Sequence, residues 1–137
     1  MKYNIRGLRS TCNWGTPDDL YKKLDQEFAF NDDPCPEGGI FGFERAWGSS
    51  SFVNPPYSEI PEWLGRAVEE SRLGKTVVLL LPSRTDSAWF HDIVLPLATE
   101  IRFIRGRLRY KKNGVSGTAP FPSLVVVFKN LWDPSRT

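Results

Sequence analysis

Apolar positions recur along the chain with two different periods. Leu20, Leu24 and Phe28 fall at i, i+4 and i+8, the spacing of one buried helix face, and predict a helix ending near Phe28. Its start is marked by Thr16, Pro17, Asp18 and Asp19: a hydroxyl N-cap, a proline at the first helical position, and acids at the positive end of the helix dipole. Ile60, Leu64, Ala67, Val68 and Ser71 predict a second amphipathic helix, stopped by Gly74. A third is expected from Asp86 towards Pro96. Between the helices the period shortens. Ser51–Val53 reads as a short strand cut off by Pro55 and Pro56, which have no N–H for a ladder. Thr76 to Leu81 is a continuous β-branched and aliphatic run between Gly74 and Pro82, as expected of a strand covered on both faces of a parallel sheet. From Ile104 to Lys111 the chain alternates, with Ile104, Leu108 and Tyr110 on one side and Arg105, Arg107, Arg109 and Lys111 on the other, which predicts a strand with one cationic face. Ser123 to Lys129 reads as a last strand, returned by a Gly/Pro-containing loop.

Helices alternating with strands, then two strands in succession, describe an α/β sheet with covering helices and an antiparallel C-terminal edge. There is no repeat or long linker, so residues 1–137 read as one domain with a short tail after Lys129. The composition agrees: 40% hydrophobic and 25% charged residues suit one globular core. The N-terminus has no apolar signal segment and the longest aliphatic run is Val77 to Leu81, so no membrane span is expected. Cys12 and Cys35 do not make a disulfide framework, and a reducing cytosol is the expected compartment. A net charge of +2 is too small to argue for nucleic acid, so the clustering of cations must carry that argument.

The most specific local feature is Asn54-Pro55-Pro56-Tyr57, placed after a strand and before a helix. Such junctions at the carboxyl edge of an open α/β sheet are where ligands bind. The tetrapeptide resembles the motif by which amino-methyltransferases handle a planar NH2 group. The lone pair of such a nitrogen is delocalised into its ring. An enzyme must therefore hold its hydrogens on acceptors and favour a pyramidal nitrogen as attack proceeds. In this resemblance the Asn54 side-chain oxygen and the Pro55 carbonyl are the acceptors, Pro56 helps Pro55 stiffen the turn, and Tyr57 stacks on the base.

Further segments follow in order: Trp14-Gly15-Thr16-Pro17, Glu27-Phe28, Asp33-Pro34-Cys35, Leu80 to Asp86, Trp89-Phe90-His91, Phe103 to Leu108, and Ala119 to Ser123. Together they are similar to the phage-type DNA N6-adenine methyltransferase (Dam) family over about residues 12 to 129. That resemblance implies a compact class I methyltransferase-like sheet, S-adenosylmethionine as cofactor, and adenine in DNA as substrate. It also implies no metal and the cytoplasm, a host cell's if phage-encoded, in a setting such as restriction–modification. By the same resemblance, Trp14, Thr16, Pro17, Asp33, Pro34, Cys35, Gly38 and Gly39 hold the cofactor. Arg84, Asp86, Arg105, Arg107, Arg109 and Lys111 face DNA, whose target base must be extruded to be reached. The segment between Gly39 and Asn54 is too short for a further strand–helix unit ending in a ribose-binding acid, leaving Asp32, Asp33 or Glu44 for that task.

Several residues also have plainer readings. Thr16-Pro17 could be a helix cap only, the arginine face a charge-protected edge strand, and Arg84 with Asp86 a surface ion pair. His91 is assigned no role, and Trp14, Trp47, Trp63 and Trp89 are read as core. The rival functions are a catalytically inactive nucleic-acid binder and a protein glutamine methyltransferase, which meets the same planar-amide problem.

Overall fold

The computed structural model describes residues 15–36, 42–112 and 115–135. Helix α1 (Asp18–Phe28) is followed by β1 (Ser50–Val53), a 3-10 turn (Tyr57–Glu59), α2 (Ile60–Arg72) and β2 (Thr76–Pro82). Helix α3 (88–97), β3 (Glu100–Phe103), the hairpin strands β4 (Arg109–Lys112) and β5 (Val115–Thr118), and β6 (Ser123–Lys129) complete it. The main sheet has the order β1-β2-β6-β3, with β1 and β2 parallel and β6 antiparallel to both of its neighbours. A bridge from Asp32 to Ser51 lays the chain before β1 alongside it in the same direction. This is a mixed α/β sheet with flanking helices, compatible with a methyltransferase-like fold.

The sheet divides the core in two. Val53, Val77, Leu79, Leu81, Leu124, Val126 and Phe128 face α2 and α3, meeting Trp63, Leu64, Ala67, Phe90 and Val94. Phe52, Val78, Leu80, Val125 and Val127 face Leu24 of α1 and Tyr110 of β4. β2 and β6 are buried on both faces, which is why their sequences show runs rather than alternation. Trp47, Trp63 and Phe90 lie in this core, with Trp89 packed at its margin, as their size predicts.

Three expectations are corrected. The antiparallel strand is interior, not an edge: β6 lies between β2 and β3, and the hairpin is made by β4 and β5. The alternating run 104–111 is not one strand. Gly106, at φ +76, turns the chain, so β3 ends in the main sheet and β4 begins in the hairpin. α3 starts after Asp86, because Ser87 Oγ accepts the Phe90 N–H at 3.3 Å while donating to the Arg84 carbonyl at 2.7 Å. Its middle is a π turn, Phe90–Val94, and this wider coil precedes Pro96, which has no N–H for the helical ladder. Cys35 is disulfide-bonded, a single bond that leaves the expectation of no disulfide framework as it was. Among the described residues no helix is long and apolar enough to cross a membrane.

Candidate active site

β3 runs parallel to β1 and β2, since each pairs antiparallel with β6 or parallel with one that does. The carboxyl ends of all three therefore open on one edge of the sheet. Asn54 follows β1 at that edge, Ser83 and Arg84 follow β2, and the 104–108 bend follows β3. The start of β6 lies there too, with Ser83 N–H on the Pro122 carbonyl at 2.8 Å and Ile104 N–H on the Ser123 carbonyl at 3.2 Å.

Asn54 is 5% exposed, and Pro55 and Pro56 behind it are buried. Its Nδ2 donates to Thr16 Oγ1 at 3.2 Å. Thr16 thus does not cap α1 as expected: Pro17 occupies the cap position, makes no side-chain bond, and offers its carbonyl to the Tyr21 N–H at 3.0 Å. The extended backbone of Pro17, φ -57 and ψ 133, moves the helix start one residue on and releases the threonine hydroxyl for Asn54.

Thr16, Asp18, Tyr21, Asp33, Phe52 and Asn54 line a cavity of about 270 Å³, with Gly15, Lys22 and Cys35 also at its wall. Asp33 reaches it because the 31–32 segment is bound to β1 by Asn31 N–H to the Ser50 carbonyl (2.9 Å) and Phe52 N–H to the Asp32 carbonyl (3.0 Å). Burial pushes the Asp33 carboxyl up to about 6, aided by the Asp32 charge and opposed by the Cys35 backbone N–H and Arg45. Among the described residues, Asp33 Oδ1 is buried with no hydrogen-bond partner. Pro34 is buried and its carbonyl accepts the Gly42 N–H at 2.8 Å; a Cβ at Gly42 would come within 2.9 Å of that oxygen, so only glycine fits.

The neighbouring acids have other work. Asp32 is held by Arg45 through two bonds of 2.6 and 2.8 Å and accepts the Gly48 N–H, and these contacts keep its carboxyl below the usual range. Glu44 is exposed and is not among the cavity residues. Of the three acids weighed for ribose binding, only Asp33 lines the cavity. A second carboxylate, Glu70, is 1% exposed and braces the same loop: it accepts the Trp47 N–H at 2.9 Å and pairs with Arg66 and Lys75, each at 2.8 Å. Although burial acts to raise its pKa, the Lys75 bond, Trp47 N–H and Arg66 outweigh it and hold the carboxyl below the ordinary value.

Tyr57 is half-buried, edge-on to Phe121 with ring centroids 5.1 Å apart. Burial, then the Tyr110 hydroxyl, pushes its phenol well above the ordinary value, so it stays protonated at every physiological pH. Tyr110 in turn shares a 3.0 Å hydrogen bond with Ser123 Oγ. Arg84, Asp86, Arg105 and Arg107 are exposed in the loops of this edge; Arg109, on β4, reaches Thr118 Oγ1 at 3.2 Å. The single cationic strand face is thereby replaced by a cationic rim formed by a bend and a hairpin. Lys111 lies in β4, and its side chain is outside the described residues. Trp14, Gly38 and Gly39 also lie outside them. Arg102, part of the same basic run, is bound by Glu27 and Glu100 and stacks over Phe28, so it belongs to the fold. His91 is exposed on α3. Among the described residues no cluster of three metal-ligating side chains occurs.

Sequence reasoning missed Tyr21, Lys22, Asp18 and Phe52 as cavity residues. The i, i+3, i+4 spacing of Asp18, Tyr21 and Lys22 from the Thr16-Pro17 start was the available signal.

Among families of known proteins, residues 42–137 match the one described as DNA N-6-adenine-methyltransferase (Dam). The matched span holds Asn54–Tyr57 and the cationic rim, and begins after α1 and Asp33; the resemblance read from the sequence begins earlier, near residue 12. No curated protein matches the chain.

Proposed function

The chain belongs to the DNA N-6-adenine-methyltransferase (Dam) family, and from that premise we propose that it transfers a methyl group from S-adenosylmethionine to the exocyclic amine of an adenine in DNA. The observation that supports this best is the meeting of Asn54 with Asp33 in one cavity at the carboxyl edge of the sheet. An amine acceptor and a cofactor acceptor are needed side by side, and these two residues supply the pair.

Asn54 and the Pro55 carbonyl accept hydrogen bonds from the two N6 hydrogens. Both acceptors sit on a buried, proline-stiffened turn, so they need no reorganisation as the nitrogen becomes pyramidal. Tyr57, propped by Phe121, offers its ring to the extruded base, and Pro56 fixes the direction in which that ring leaves the turn. The residues present fit the cofactor. Asp33 Oδ1, buried without a partner among the described residues, suits a cationic ammonium, while Tyr21 and Phe52 give apolar surface beside it. Thr16 and Cys35 line the same cavity, Cys35 also giving its N–H to Asp33, and Pro17 and Pro34 are their neighbours in the chain. The cofactor contributes an electrophilic methyl group on a sulfonium. Arg84, Arg105, Arg107, Arg109 and Lys111 would neutralise phosphates around the extruded base, with Asp86 beside them at the rim.

The test is nucleoside mass spectrometry of unmethylated, sequence-diverse DNA incubated with the protein and S-adenosylmethionine. N6-methyladenine is expected from the wild type, and at least about a hundredfold less from Asn54→Ala. No product from the wild type overturns the reaction; equal product from both overturns the role of Asn54.

A further inference from the structure

The β4–β5 hairpin forms a sheet of its own, yet one side chain of it reaches the Asn54–Tyr57 turn. Tyr110, between Arg109 and Lys111 on β4, is fully buried and joins the core half that holds Phe52, Leu80, Val125 and Ala119. Its hydroxyl is 3.0 Å from Oγ of Ser123, a buried residue at the start of β6. The Phe121 ring meets Tyr110 at 6.1 Å and Tyr57 at 5.1 Å between centroids, edge-on to the second. Three rings and one serine thus connect the hairpin, the 119–123 return and the turn after β1. For packing alone a phenylalanine at 110 would serve. A phenol taken out of water costs free energy unless its hydroxyl is bonded, so a tyrosine there has polar work to do. One partner is Ser123. The other group it approaches is the Tyr57 phenol, whose pKa it helps to raise, with Arg84 opposing. The Tyr57 hydroxyl is buried and, among the described residues, meets no partner at bonding geometry.

Two motions decide where the Tyr57 ring stands. Rotation about its own axis is limited by the edge contact with Phe121, whereas the swing of the whole ring is limited only by something that holds its far end, the hydroxyl. We propose that Tyr110 is a positioning residue for the stacking ring: its hydroxyl, anchored on Ser123, bonds the Tyr57 hydroxyl when the ring takes up the extruded base, so that one side chain of the phosphate-binding hairpin places the base platform. The proposal rests on the methyltransferase reading. It adds that the hairpin carries more than charge, and that the bond left open in the free protein is closed in the complex with DNA. Tyr110 touches no reacting atom, and acts through Tyr57.

The experiment uses the full chain, S-adenosylmethionine and unmethylated, sequence-diverse DNA. Wild type, Tyr57→Phe, Tyr110→Phe and the double variant are compared in turnover, in urea unfolding, and in calorimetry with S-adenosylhomocysteine, the demethylated cofactor. Each single variant is expected to lower kcat by about tenfold with KM for DNA nearly unchanged, the rate equivalent of one hydrogen bond made only in the complex. The double variant should fall no further than either, because both changes remove the same bond. Cofactor affinity should be equal in all four. Tyr57→Phe should unfold no earlier than wild type, since the hydroxyl it loses is unbonded in the free protein. Ser123→Ala keeps both tyrosines and guards against a Tyr110→Phe that folds poorly: it should lower kcat several-fold when Tyr57 is present and leave kcat unchanged in Tyr57→Phe. A Tyr110→Phe that turns over like wild type overturns the positioning role. So do single effects that multiply in the double variant, or a Ser123→Ala effect of equal size with and without the Tyr57 hydroxyl. These outcomes leave the methyltransferase reading standing, whereas a wild type that makes no N6-methyladenine overturns both.

Discussion

At the scale of single residues, Asp33 stands in an environment that costs the fold stability when the carboxyl is charged. A carboxyl pushed up to about 6 by burial binds its proton more tightly folded than unfolded. Its contribution to stability is thus fully present only below the unfolded value of 3.8 and is lost as pH rises through about 6. At neutral pH the charged form is held at a cost of about 2 kcal/mol, allowing for partial access of solvent. Asn keeps the oxygen that receives the Cys35 N–H and removes the charge. Asp33→Asn should therefore be more stable than wild type by about that amount at pH 7 in urea unfolding, with the difference fading by pH 4. The same change should abolish pH-dependent binding of S-adenosylhomocysteine: in wild type, affinity falls as Asp33 protonates below about 6, and in the variant the profile is flat and weak. A residue that destabilises the free protein and strengthens ligand binding is what a functional site requires, and no sequence period announces it. Asp33 was legible only as part of a Pro/Cys-flanked turn. That Asp33 and not Asp32 lines the cavity depends on Arg45, thirteen residues on in the loop, which holds Asp32.

At the scale of elements, the sequence was a good guide wherever one face or both faces of a segment are buried by neighbours of one kind. α1, α2, β1, β2 and β6 fall within a residue or two of their expected bounds, because period and punctuation agree there. It misled where alternation had a different cause. Ile104, Leu108 and Tyr110 do share burial against the α1 side of the sheet, but from a bend and a hairpin. Gly106 at positive φ separates them, and a glycine between two arginines is not distinguishable in sequence from one inside a strand. The loop 42–48 shows the opposite case, irregular in pattern but rigidly built. Glu70 of α2 ties Trp47, Arg66 and Lys75 together, and the loop it braces carries Arg45, which fixes Asp32. Glu70→Ala leaves two partly buried cations and an N–H without their acceptor, and is expected to cost about 3 kcal/mol. Glu70→Gln should recover part of that, since its oxygen can still accept the Trp47 N–H. Because the Glu70 carboxyl is held below its ordinary range, its stabilisation is present at neutral pH and lost as pH falls through that lowered value. Urea unfolding of wild type and Glu70→Ala at pH 7 and at pH 3 checks both points: the two curves should converge in acid.

At the scale of the whole molecule, the net charge of +2 conceals an arrangement. Arg84, Arg105 and Arg107 stand on loops at the same sheet edge as Asn54, and Arg109 on the hairpin that follows them, while Arg102 at the other end of the same basic run is committed to Glu27 and Glu100. The two sets make opposite predictions although they are adjacent in sequence. Each phosphate that loses its neutralising cation should lower the slope of log affinity against log salt by about 0.9, so replacing Arg105, Arg107 and Arg109 with Ala should weaken duplex binding and reduce that slope by about 2 to 3. Arg102→Ala should leave the slope as it is and appear instead as a small drop in the urea midpoint, since the variant gives up both the paired carboxylates and the guanidinium over the Phe28 ring. Fluorescence anisotropy of a labelled duplex across a salt series, with the unfolding curve of each variant, separates the two. An unchanged slope in the triple variant would make the rim a solvated surface, and a reduced slope in Arg102→Ala would mean that its ion pairs open to DNA. The geometry argues against the second outcome: a guanidinium already saturated by two carboxylates would have to break both to reach a phosphate, exchanging one set of charge-assisted bonds for another with no gain in charge neutralised.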